Sequence, residues 1–147
     1  MNISIEDRLL IYKTFAIINE RPGRMEKLGD LLYQNLFHIA PETQLLFSGP
    51  LHEQSRKWRQ MLTKIIVTID HFASLDGDLS RLGLKHVAYG VRAADYEKMG
   101  EALLLSLEQY LGADFTPDAR TAWSRMYNAV SAAMLETTAE NTDQKST

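Results

Sequence analysis

Four histidines, His38, His52, His71 and His86, are the candidate metal ligands and acid–base groups of this 147-residue sequence, which contains no cysteine. The missing thiols exclude disulfides, thiolate zinc and iron–sulfur sites, thioether-attached cofactors and a cysteine nucleophile. No H-x-x-x-H pair, G-x-S-x-G elbow or glycine-rich phosphate loop occurs. The carboxylate pairs Glu6-Asp7 and Asp76/Asp78 sit at helix starts and turns, where capping and solvation account for them. Hydrolase and kinase chemistry therefore has nothing to rest on. His38 lies just before Ala40-Pro41, His52 begins a helix, and His71 falls between Asp70 and Phe72; each reads as a surface or boundary histidine. His86 ends the segment Leu82-Gly83-Leu84-Lys85-His86 and precedes Tyr89-Gly90-Val91. Taken alone it too reads as an ordinary boundary histidine. It gains weight only from its relation to the helix carrying Gln54.

The elements that must position these groups are all helical. Three- and four-residue apolar spacings recur and strict alternation is scarce, so no strand is expected. The spacing predicts a first helix over 5–19, capped by Ser4, with Leu9, Leu10, Ile17 and Ile18 apolar. Arg21-Pro22-Gly23 breaks the chain, and a second helix reaches Ile39 along the row Met25, Leu28, Leu32, Leu36 and Ile39. Residues 41–51 form a corner containing Phe47. A long third helix is expected over 52–72, with Gln54, Trp58, Met61, Leu62, Ile65, Ile69 and Phe72 on one face. A short helix leads to His86 and stops before Gly90. Asp95 caps the next helix, over 96–111, with Met99, Leu103, Leu107 and Leu111 inward and Gly112 ending it. Thr116-Pro117 starts a last helix that reaches Glu136 with Trp123, Tyr127, Val130 and Met134. Residues 137–147 are expected to be a polar, disordered tail.

Hydrophobic residues make up 45% and charged residues 24% of the chain, the net charge is −3 and the isoelectric point about 5.8. That is one ordinary globular domain, with no broad basic field for nucleic acid. No apolar run approaches the roughly 20 residues of a membrane span. Met1 to Asp7 lacks the basic start and apolar core of a signal peptide. A cytoplasmic single domain of six or seven helices is expected. Composition and periodicity do not say what that domain holds.

A family resemblance does. Leu32-Tyr33-Gln34-Asn35-Leu36-Phe37, Pro41, Leu46-Phe47, Gln54-Ser55-Arg56-Lys57, Lys85-His86-Val87-Ala88-Tyr89-Gly90-Val91, Asp95-Tyr96 and Ala122-Trp123 follow one another in order. Their joint spacing resembles that of bacterial single-domain haemoglobins, relatives of the flavohaemoglobin globin domain and of neuroglobin-like bacterial globins. The resemblance spans about residues 5–136. It implies an all-α globin fold over 1–136 sandwiching haem b. It implies His86 as the proximal iron ligand, Phe47 as the aromatic wedge against the porphyrin, and Tyr33 and Gln54 as the distal polar pair. Tyr96 is implied near the proximal histidine, and Lys57, Trp58 and Val91 among the haem contacts. A single imidazole leaves the sixth iron position open. A tyrosine hydroxyl and a glutamine amide are donors suited to a partly negative bound ligand, each worth about 1–3 kcal/mol when water is excluded.

Three features depart from that family. Trp58 follows Gln54 by one turn, where an aliphatic side chain is usual. Its indole either donates to the ligand, fills the pocket, or packs in the core away from it. The glutamate that joins tyrosine and proximal histidine in flavohaemoglobin-type globins falls at Thr138, and Glu136 stands about 200° around the helix from that position. An open or water-bound sixth site is expected, with His52 the first suspect should an internal ligand bind. The resemblance thus implies reversible binding of O2, CO or NO, by a monomer or homodimer, with neither nucleic acid nor membrane as partner. The alternatives are NO dioxygenase or peroxidase-like turnover with an external reductase, and a haem-free interaction or sensor domain.

Overall fold

The computed structural model describes residues 3–145, with side chains described through 136. Six α-helices follow one another: α1 (Ile5–Glu20), α2 (Arg24–Ile39), α3 (Leu51–Val67), α4 (Asp76–Ala88), α5 (Ala93–Leu111) and α6 (Pro117–Lys145). Short 3-10 segments occupy Pro41–Leu46, Ile69–Leu75 and Gly112–Asp114. Among the described residues there is no strand, and no helix is long and apolar enough to cross a membrane.

Several helix ends follow from local chemistry. The Asp7 N–H donates to Ser4 Oγ at 3.1 Å, and the Ala119 N–H donates to Thr116 Oγ1 at 3.1 Å, ahead of which Pro117 takes the first helical position. Three expectations need correction. The third helix does not continue to Phe72. Thr68 Oγ1 donates to the Lys64 carbonyl at 2.7 Å, and His71 leaves helical geometry (φ −124°, ψ 51°), so a 3-10 turn replaces the last turns. Asp95 is not the cap of α5. The helix begins two residues earlier, and the Asp95 carboxylate reaches back to accept from the Arg92 N–H at 2.8 Å, as an N3 carboxylate does. The last helix runs past Glu136 to Lys145, while the side chains of 137–147, where the polar tail is expected, lie outside those described.

The core is one cluster. Trp123, Ile11, Ile18, Leu28, Leu32, Ile66, Leu79 and Leu107 are fully buried within it. The inward face of α1 is Ile11 and Ile18, with Thr14 and Asp7; Leu9 is exposed. Asp7 is buried and accepts from the Arg125 guanidinium on α6 at 3.1 Å and 3.3 Å, which fastens the N-terminal helix to the C-terminal one. Helix α4 packs on α6, and α2 lies between α3 and α5.

Two glycines set the helix crossings. A Cβ at Gly29 would strike Ser55 Oγ on α3. A Cβ at Gly83 would stand 2.5 Å from the Met134 carbonyl oxygen on α6, so α4 lies on the α6 backbone itself. Backbone cannot yield as a side-chain tip can. Gly83→Ala should therefore cost about 1–3 kcal/mol, read as a lowered denaturant midpoint with unchanged slope. A midpoint equal to the parent's would mean that α4 has room to move.

Candidate functional site

The turn that ends α4 places His86. Tyr89 closes the helix and Gly90 takes a left-handed conformation (φ +91°) that a side chain would strain. The Val91 N–H then donates to the His86 carbonyl at 2.9 Å, and the Gly90 N–H to the Val87 carbonyl at 3.0 Å. This pair of bonds is a Schellman motif. It turns the chain back so that His86 and Val91 face one space.

That space is a cavity of about 420 Å³ reached by every helix except α1. All eight residues expected at a cofactor, Tyr33, Phe47, Gln54, Lys57, Trp58, His86, Val91 and Tyr96, line it. Leu36, Met61, Leu62, Ile65, Leu103 and Met134 supply much of its apolar wall. His38, His52 and His71 are exposed and do not line it. Glu136 is likewise exposed and outside, and the Thr138 side chain lies beyond those described. No group of three or more His, Asp or Glu side chains gathers as a bare-ion site among the described residues.

The His86 ring is oriented by its own helix. Nδ1 lies 2.7 Å from the Leu82 carbonyl oxygen. A carbonyl only accepts, so in the neutral ring Nδ1 carries the proton and Nε2 keeps its lone pair. This is the tautomer a metal-ligating histidine needs, and the same bond fixes the ring's rotation. Tyr96 packs alongside, with ring centroids 6.1 Å apart, and its buried hydroxyl has no hydrogen-bond partner among the described residues. Burial raises the Tyr96 pKa.

Tyr33, Phe37 and Phe47 form an aromatic triangle near the opposite set of polar groups. Phe47 meets Tyr33 edge-on at 5.4 Å and Phe37 at 5.7 Å. The Tyr33 hydroxyl has only a long contact, 3.5 Å, to the Gln54 backbone carbonyl. It therefore retains most of its capacity to donate to a guest. Burial pushes its pKa up to about 12, so it stays a neutral donor across the physiological range. Trp58 is half-buried: it packs against the core and still borders the cavity. The indole therefore leaves space rather than closing it.

Sequence reasoning missed Thr43, Lys85, Asp95, Tyr127 and Ser131 as lining residues. Lys85 stood next to His86 in the quoted motif. Tyr127 and Ser131 had a signal too, since both fall on the inward row of α6, but a helical row does not say which of its members meets a void.

The raised Tyr33 pKa makes a stability prediction. The folded state holds the phenol proton more tightly than the unfolded chain, so this group's contribution is intact below pH 10 and is lost as pH rises toward 12. Tyr33→Phe should flatten the fall in stability over that window, measured by urea unfolding from pH 9 upward. An equally steep fall in the variant would assign the alkaline loss to other groups.

Comparison with known proteins agrees with this geometry. The Globin family model matches residues 30–134. The chain is 33% identical over 132 residues to neuroglobin of Danio rerio, covering 80% of this chain and 83% of that protein. It is 32% identical over 131 residues to neuroglobin of Chaenocephalus aceratus, covering 80% and 82%. The solved structure of RmaNOD, an engineered carbene transferase from Rhodothermus marinus, aligns with a TM-score of 0.86 at 23% identity, over 99% of this chain and 100% of that one. The last is a likeness of fold alone. With the family model spanning most of the chain and its helices gathered around one histidine-bearing cavity, the chain belongs to the globin family.

Proposed function

We propose that this globin binds haem b in the central cavity and there binds O2 or another diatomic gas reversibly. The observation that carries the reading is the His86 ring, held by the Leu82 carbonyl in the tautomer that presents Nε2 to the cavity. The cavity fits the group in two further respects. It is largely apolar, and it contains the buried hydroxyls of Tyr33 and Tyr96, one weakly engaged and one without a partner. When bound, haem would supply an iron centre able to take a gas.

The chain's own groups do the rest. His86 would hold the iron, and Phe47 would pack against the macrocycle. Lys57 and Lys85 are exposed cations on the cavity lining and suit carboxylates at its mouth. Tyr33 and Gln54 donate to the gas and slow its departure, while Trp58 sets how much room it has. Val91 and Tyr96 support the face that carries His86.

The enzymatic alternative, NO dioxygenation or peroxide handling with an external reductase, has less behind it. The His86 Nδ1–H is given to a carbonyl, not a carboxylate, so its basicity is not raised by a neighbouring anion. The Tyr96 hydroxyl has no carboxylate to draw on among the described residues. A haem-free role is disfavoured by the open cavity beside Trp58. The same reading takes the protein to be cytoplasmic, acting as a monomer or homodimer.

The test is the visible spectrum with equimolar haemin. A sharp Soret band that shifts on reduction and again with CO is expected in the wild type, and its loss in His86→Ala. A variant that keeps the wild-type spectrum would remove His86 as ligand. Trp58→Leu should speed CO association about tenfold, or ~1.4 kcal/mol in barrier height. Equal rates would put the indole outside the ligand's path. Tyr33→Phe should raise the O2 dissociation rate roughly ten- to a hundredfold, the worth of one buried donor.

A further inference from the structure

We propose that the outer face of α1 docks a second copy of this chain, the two α1 helices running antiparallel about a two-fold axis between Leu9 and Tyr12. The inference does not rest on the haem reading. Helix α1 is apolar on two sides. Asp7, Ile11, Thr14 and Ile18 form its buried side. Ile5, Leu9, Tyr12 and Ala16 follow one another at spacings of four, three and four along the opposite side. That is the spacing of a seam by which one helix packs on another. Ile5 is 63% exposed and Leu9 61%, and Ala16 is exposed as well. A single exposed apolar residue calls for no explanation; a row of them along three turns does.

The face is already ordered. The Tyr12 hydroxyl donates to Asp70 Oδ1 at 2.8 Å, and the Arg8 guanidinium pairs with the same carboxylate at 3.5 Å. Tyr12 in the seam and Arg8 beside it therefore have fewer rotamers to lose on docking.

Self-complementarity names the occupant. In an antiparallel pair about that axis, Leu9 meets Tyr12 of the second copy and Ile5 meets the small Ala16, each contact being made twice. Glu6 and Lys13 stand on one flank of the seam, both exposed and neither in an ion pair among the described residues. The same axis sets Glu6 of each copy beside Lys13 of the other. A parallel pair would instead set Arg8 of one copy beside Lys13 of the other, two like charges. One helix pair is at the small end of specific interfaces, so a Kd in the micromolar range is expected. Helix α1 is the one helix that does not reach the central cavity, so docking there leaves the cavity walls untouched.

Sedimentation equilibrium tests this on the wild-type chain with equimolar haemin, from about 5 to 500 µM, a range that brackets such a Kd. The mass is expected to rise from 16.7 kDa toward twice that value. Leu9→Glu puts a charge into the seam and should weaken association at least tenfold. Glu6→Lys and Lys13→Glu should each weaken it about three- to tenfold. An equal mixture of those two variants should regain the wild-type affinity, because only the mixed pair sets opposite charges together. A spin label on Glu20→Cys, the only thiol such a chain would have, should report a pair about 30 Å apart. A monomer at every concentration would overturn the proposal and leave the face to a partner of other chemistry. So would a Leu9→Glu dimer as strong as the wild type's, or a mixture no stronger than its components. If the seam variants fail to fold, the label decides: a separation far from 30 Å would mean another face or a parallel pair. Loss of the Soret band would count against the haem reading alone, and the sedimentation result would stand.

Discussion

Helix α4 lies against the backbone of α6 because residue 83 has no side chain, and the candidate site is built outward from that contact. Gly83 brings the His86-bearing helix within reach of Met126, Val130 and Met134, which share the cavity wall with it. About two turns later the Schellman motif at Gly90 reverses the chain and returns Val91 and then α5 to the same space. The Leu82 carbonyl accepts the hydrogen bond from the imidazole Nδ1–H. Position, exit direction and tautomer of one histidine thus follow from a close approach and a helix end.

Buried polar groups are ordinarily satisfied, and the places where this chain leaves them unsatisfied are informative. Among the described residues the Tyr33 hydroxyl has a single long contact and that of Tyr96 has none, though both side chains are buried. Both line the cavity. Such groups are costly in an empty protein and useful in one that holds a polar-edged or ligand-bearing guest. Trp123 Nε1 and Ser55 Oγ also have no partner among the described residues, but neither lines the cavity; Ser55 stands in tight helix packing against Gly29.

Much was legible from sequence, for identifiable reasons. Proline and glycine breaks, caps at Ser4 and Thr116, and three-and-four spacing depend on local chemistry and yielded the helices. Where local signals conflict with tertiary demand, the reading slipped. The apolar row through Ile69 and Phe72 concealed the 3-10 turn, because a row of buried residues persists across a break in the helix. Leu9 proved exposed and Ile11 buried, since α1 is apolar on more than one side and packing alone chose the face. By itself the sequence determined an all-α chain, because spacing along a helix is set by the backbone; the residues of the cavity were named only by the family that its quoted motifs resemble. Only the tertiary structure decided that those residues share one cavity, which proton His86 carries, and that Trp58 leaves the cavity open. Those depend on which helices meet and how closely, and a pairwise approach between distant segments is written in no single stretch of the chain.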